Sequence, residues 1–144
     1  MREFRAWIKN KKKMVYGKDA TSSAHFTNSF KYRKDEVVLT QYTGLHDKTD
    51  NKIYEGDVIE FLYKGKMYYI GEVKFKAGTF ILACNQLPDG YITMLDIANF
   101  DGDYYWIDGV VIGNVYETPQ LLLETLQNQS LSCMCYTKKQ VYGS

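Results

Sequence analysis

The sequence predicts a mainly β protein, one small barrel of strongly bent strands, and three features of the text lead there. Aromatic residues fill 15% of the 144 positions, 13 of them tyrosines, and together with β-branched residues they favour pleated surfaces over helices. Apolar residues recur at period two between Val37 and Tyr116, as half-buried strands require. Glycine-containing turns punctuate that alternation every few residues, and only two prolines occur in the whole chain. A chain of this length suits one domain and can bury about two thirds of its unfolded surface without covalent staples.

Taken in order, Phe4–Ile8 and Met14–Tyr16 read as a hairpin across the lysine-rich turn KNKKK. Residues 17–36 are rich in Ser, Thr, Lys and Asn and read as a long polar loop. Val37–Tyr42 is a strand that Gly44 ends, because glycine takes a positive φ without steric cost. Glu55, Gly56 and Asp57 form the turn into the strand Val58–Tyr63. Met67–Phe75 follows the Lys64–Lys66 turn and is interrupted by Gly71, read as a bulge that lets a strand bend around a barrel. Thr79–Cys84 returns across Ala77-Gly78, so four strands from Val37 onward are expected to form a meander. Tyr91–Phe100 is expected as strand with a break near Asp96. Tyr104–Ile107 and Val110–Tyr116 are expected to pair across Asp108-Gly109, a two-residue connection of the I′ kind. Thr118 offers an N-cap oxygen, Pro119 fits the first helical position, and Gln120–Gln127 should form a short helix with Leu122 and Leu126 on one face.

The words FRAW near the start, EGDVIEF in the middle and VIGNVYETPQLL near the end resemble the YopX family of phage and prophage proteins, and they span roughly residues 4 to 124. The resemblance implies a small barrel of the SH3 type, and it implies no catalytic or ligand residues. It singles out Gly44, Glu55, Gly56, Asp57, Gly113, Asn114 and Tyr116, with Gly71 also fitting the pattern. An architectural reading has Gly56 and Asp57 turning the chain, Glu55 and Asp57 capping neighbouring amides, and Asn114 bridging strands. The expected organisation is an N-terminal hairpin and polar loop over 1–36, a β-barrel core over 37–117, a helix over 118–127 and a tail over 128–144.

Candidate chemistry is sparse. His25 and His46 are the only histidines, both expected as solvated loop residues, and no serine stands in a nucleophile elbow. Cys84 lies in the apolar run FILAC and reads as a small core residue, while Cys133 and Cys135 are separated by one residue, too tight for a zinc pair. Asp101, Asp103 and Asp108 look like part of a calcium loop but lack its terminal glutamate. No phosphate-cradling glycine fingerprint is present. The expectation is therefore a protein that is not an enzyme, with no catalytic residues, no metal and no cofactor. Three cysteines, no apolar leader and no run of about 20 apolar residues point to the reducing cytoplasm of a bacterial host rather than to a membrane.

Net charge is +1, but it is unevenly laid out. Residues 1–76 hold 16 Lys and Arg against 10 acids, whereas residues 77–144 hold two against seven. Such polarity can draw copies of a protein together or attract a charged partner, unless the fold intermixes the halves. Thirteen tyrosines also exceed what a small core can satisfy. Tyr104, Tyr105 and Trp106, beside Leu122 and Leu126, are therefore candidate interface residues of a homo-oligomer or of a complex with a host or phage protein. The second reading is nucleic-acid binding by Lys9, Lys11, Lys12 and Lys13 at the hairpin tip, with Trp7 and Tyr16 alongside to stack on bases. It is the less favoured one, because the acidic second half and a pI near 7.6 are unlike a phosphate-neutralising protein.

Overall fold

Eleven strands form among residues 3–20, 36–102 and 104–122, the part of the chain described in a computed structural model. The first four are β1 (Phe4–Ile8), β2 (Lys13–Tyr16), β3 (Val37–Asp47) and β4 (Lys52–Tyr54). Then come β5 (Asp57–Tyr63), β6 (Met67–Lys76), β7 (Thr79–Ala83) and β8 (Tyr91–Thr93). A 3-10 turn, Met94–Ile97, separates β8 from β9 (Ala98–Asp101), and β10 (Tyr104–Ile107) and β11 (Gly109–Asn114) complete the set. The interruption foreseen near Asp96 is this turn.

The strands sort into two sheets, in the order β2-β1-β3-β10-β9, with β4 also paired to β3, and β11-β5-β6-β7-β8. The fold is mainly β as expected, but neither sheet closes into a barrel, and an SH3-type closure is not what the strand order gives. The reason lies at Asp108. Instead of a hairpin, β10 runs parallel to β3 in the first sheet, with Trp106 opposite His46, while β11 runs antiparallel to β5 in the second, with Gly109 opposite Phe61. The chain changes sheet where a tight turn was expected. The meander is correspondingly β5–β6–β7–β8, and β3 belongs to the other layer.

Gly44 does not end its strand. It sits inside β3 at φ +88, between the Tyr42–Tyr54 and His46–Lys52 pairings, where the register shifts and the long strand bends. Gly71 is not a bulge either, since Ile59 and Gly71 pair in unbroken register. What it provides is room: a Cβ there would stand 2.9 Å from the Ala83 carbonyl oxygen and 2.9 Å from Leu82 Cγ. The second sheet instead shifts register between Val111 and Gly113.

Between the sheets lies one apolar core, to which β3, β4 and β10 contribute Leu45, Ile53 and Ile107, and β5, β6 and β7 contribute Ile59, Phe61, Val73 and Leu82. Cys84 is in this core as expected, and burial pushes its thiol pKa up. Residues 120–122 begin a helix, with the Leu121 amide donating to the Thr118 carbonyl at 3.1 Å. The remainder of the expected helix, the tail, His25 and most of the 17–36 loop lie outside the described residues.

Replacing Gly71 with alanine is expected to cost about 1–3 kcal/mol through overpacking against Leu82 and Ala83. Chemical denaturation measures it; a change below about 0.5 kcal/mol would mean the close approach relaxes freely.

Candidate functional site

The three sequence words FRAW, EGDVIEF and VIGNVYETPQLL meet in space, although they lie up to a hundred residues apart. FRAW supplies Arg5 on β1 of the first sheet, and EGDVIEF supplies Asp57 at the start of β5 in the second. Their side chains form an ion pair, Arg5 Nη1 to Asp57 Oδ1 at 2.8 Å, with both residues at most 3% exposed. The rest of the guanidinium is also engaged. Nη2 donates to the Glu55 carbonyl at 3.1 Å, Nε donates to Thr40 Oγ1 at 3.4 Å, and the Tyr54 ring lies 4.9 Å from Cζ. Asp57 Oδ2 accepts the Tyr54 amide at 2.7 Å, the turn-capping role expected of it. Burial pushes the Asp57 carboxyl above its ordinary pKa, against the pull of Arg5 and the Tyr54 amide.

The third word closes the cluster. Gly56 stands at φ +94, donates its amide to the Val73 carbonyl and accepts from the Val115 amide. A Cβ at Gly56 would come within 2.7 Å of the Tyr116 ring, which in turn stacks on Trp7 of FRAW with ring centres 6.2 Å apart. Asn114 does not bridge strands. Its Oδ1 accepts the amides of Tyr116 at 3.0 Å and Glu117 at 2.8 Å, so it ends β11 by capping the turn that follows. Thr118 Oγ1 turns back to the Asn114 amide and carbonyl, and a side chain at Gly113 would collide with it. A cleft of about 430 Å3 opens over this cluster, lined by Arg5, Asp57, Tyr54, Lys52, Gly113 and Asn114 among others.

Asp47, which no motif singled out, is the second buried acid among the described residues. Its Oδ1 accepts the amides of Thr49 at 2.8 Å and Asn51 at 3.0 Å and the Thr49 hydroxyl at 2.7 Å. Its Oδ2 reaches across to the Val111 amide of the second sheet at 2.9 Å. Burial would raise its pKa, but the Val111, Asn51 and Thr49 donors outweigh that cost and hold the carboxyl below the ordinary value.

Other singled-out residues lie elsewhere. Gly71 is remote from the cleft, on β6. Lys9, Lys11, Lys12 and Lys13 are exposed at the β1–β2 tip, but Trp7 stacks on Tyr116 and Tyr16 packs edge-on to Tyr54, so both rings already have neighbours. Tyr105 is exposed and packs against Phe100, while Trp106 is half-buried. Tyr104 opens β10; Leu122 lies beside Ile70 and Cys84, and Leu126 is outside the described residues. His46 is a strand residue, not a loop one, its ring 3.2 Å from the Tyr42 hydroxyl and 3.5 Å from the Tyr105 carbonyl. Among the described residues, no three His, Cys, Asp or Glu side chains converge as a metal set, and no helix is long and apolar enough to cross a membrane.

The family described as YopX protein matches residues 3–123. Protein EF1440 from Enterococcus faecalis, known from a crystal structure, is 24% identical, with a TM-score of 0.54 over 85% of this chain and 98% of that one. The crystal structure of protein yopX from Bacillus subtilis is 15% identical, with a TM-score of 0.50 over 83% of this chain and 96% of that one. No curated protein matches the chain.

Substituting Arg5 with methionine should destabilise the fold by about 3–5 kcal/mol, because it strands the Asp57 carboxylate in the interior. The double variant R5M/D57N should lose less than R5M alone. Additive losses in a double-mutant cycle would show that the two groups are not coupled. Asp47 generates a pH signature of its own: with a depressed folded pKa, its contribution is complete above the ordinary carboxylate range and is lost as pH falls through the folded value. D47N, which sets an amide against the inter-sheet Val111 amide, should cost about 1–3 kcal/mol at neutral pH. Thermal unfolding followed from pH 7 downward should show a shallower acid decline in D47N than in the parent.

Proposed function

The chain belongs to the YopX protein family, and from that premise we propose that it is a phage or prophage accessory protein of the bacterial cytoplasm, non-enzymatic, acting by self-association. The observation that carries this reading is the ends of the first sheet. Among the described residues, β2 at one end bonds only to β1, and Lys11, Lys12 and Lys13 are exposed at that edge. At the other end, again among the described residues, β9 bonds only to β10, and exposed Asp96 and Asp108 flank the β9–β10 pair. Exposed basic groups thus stand at one end of this sheet and exposed acidic groups at the other, although both sheets mix strands from the two halves of the chain.

An unpaired strand is a template for another strand, and opposite charges decide which edge it accepts. Both edge strands are four residues long, so β2 of one copy can lie along β9 of the next. Phe100 and Tyr105, 57% and 46% exposed with ring centres 4.8 Å apart, would lose apolar surface to water's exclusion in that contact. Such a contact joins two different surfaces, and so builds rings or open chains rather than a two-fold dimer. The buried charges of the cleft support a non-enzymatic role, because Arg5 and Asp57 spend their bonding capacity on each other and on nearby backbone.

Light scattering at high micromolar protein and low salt should give a mass well above 16.7 kDa. The mass should fall towards the monomer at about 0.5 M salt, where exposed charges are screened beyond a few ångströms. K11E/K13E alone and D96K/D108K alone should each be monomeric, and mixing them should restore the larger species. A parent protein that stays monomeric at low salt would refute the reading.

A further inference from the structure

The outer face of the second sheet carries a groove of about 600 Å3 that neither the cleft nor the sheet edges account for. Strand alternation puts Val73, Leu82 and Ile92 on the core side, so the neighbouring positions of β6, β7 and β8 face outward. Register then arranges them in rows: Lys74 opposite Ile81 opposite Thr93, Lys76 opposite Thr79, and Glu72 opposite Ala83 opposite Tyr91. Ile81 is only 7% exposed despite facing outward, so the groove has an apolar floor, whereas Tyr91 on the edge strand is 49% exposed.

The lining therefore has two ends of different chemistry. Both lysines stand on β6 along one side, with Thr79 opposite Lys76; Tyr91 stands on β8 at the opposite corner, on the same strand as Thr93. Lys74 and Tyr91 are two strands apart and one row apart along the strands, a separation of about 12 Å given ordinary sheet spacing. Among the described residues no carboxylate lines this groove, and the one beside it is Glu72, at the far end of the row that holds Ala83 and Tyr91. Glu72 belongs to a smaller adjoining hollow with Ile70, Cys84 and Leu122, and its reach to Lys74 Nζ is 4.0 Å, leaving the ammonium able to take a closer anion.

We propose that this groove binds a nucleotide, its base on Tyr91 and its phosphate on Lys74 and Lys76. Three properties select that class. The size lies within the range of small-molecule sites, about 300–1,000 Å3. The lysines demand an anion, and the aromatic wall with an apolar floor demands a flat, largely apolar ring at the distance from the charge that a sugar spans. A purely acidic partner would leave Ile81, Ala83 and Tyr91 unused. The same chemistry is presented by a free mononucleotide and by one unit of a single strand. The site is on the opposite sheet from the lysine-rich hairpin tip and is independent of self-association.

Fluorescence anisotropy and calorimetry with adenosine monophosphate, with a single-stranded oligothymidylate of about ten nucleotides and with poly-glutamate separate the possibilities. Binding of the mononucleotide identifies a small-molecule site, and binding of the oligonucleotide alone identifies a strand-binding site; both support the proposal provided the groove variants weaken it. K76E and Y91A change exposed side chains and should each weaken binding about tenfold. K11E/K13E, with a larger charge change at the tip, should leave it within about twofold. Circular dichroism confirms that each variant is folded. Equal or tighter binding of poly-glutamate, loss on K11E/K13E but not on K76E and Y91A, or binding of none of the probes at low salt would overturn the proposal.

Discussion

Two sheets that share no strand must be held in one relative position, and the buried contact of Arg5 with Asp57 is what holds them. One partner comes from the second residue of β1, the other from the first residue of β5, so neither sheet can slide without separating a guanidinium from a carboxylate in an interior that solvates neither. Such a pair contributes little net stability when formed, since desolvation offsets most of the attraction. Its effect is on which arrangement is allowed. A shifted packing would bury an unpaired charge, and the penalty for that is far larger than the gain from the pair.

The surrounding residues follow from this constraint. Because Arg5 must be inside, its other donors need acceptors, and Thr40 and the Glu55 carbonyl supply them. Because Asp57 must begin β5 at this point, the chain has to reverse directly before it, and the positive φ of Gly56 does so in a place where Tyr116 leaves no space for a side chain. Asp47 repeats the device at the other end of β3, trading the charge of a second buried carboxylate for four donors, one of them on the opposite sheet.

What the sequence revealed and what it hid divide along physical lines. Local alternation located nearly every strand, the 3-10 break near Asp96 and the buried Cys84, because each is decided by neighbours a few residues away. Sheet membership was not legible. Asp108-Gly109 has the composition of a hairpin turn, and nothing local distinguishes a turn that returns the chain to its own sheet from one that passes it to another; the competing force is the parallel pairing of β10 with β3, sixty residues earlier. The partner of Asp57 was hidden for the same reason. Arg5 alternates with the apolar Phe4, Ala6 and Ile8, yet that strand is covered on both faces, and only a matching acid on another element makes an inward arginine tolerable. A lone charge in an otherwise apolar strand, set against a lone acid at the start of another, was the available signal.

If the motif residues are consumed in holding the sheets, activity has to reside where the architecture leaves groups unspent. In the described interior the charges of Arg5, Asp57 and Asp47 are already bonded to one another or to nearby amides. The perimeter offers two kinds of resource. Sheet edges carry backbone donors and acceptors, and among the described residues β2 and β9 are the edges of the first sheet. The outer face of β6–β8 carries side chains that the core does not need, and their order, lysines on one strand and a tyrosine two strands away, is set by the same register that fixes the core on the reverse side. A fold built around fixed inter-sheet contacts therefore leaves its outer surfaces free to vary among proteins that keep the same frame, and relatives should differ in function at those surfaces while agreeing at Arg5, Asp57 and Gly56.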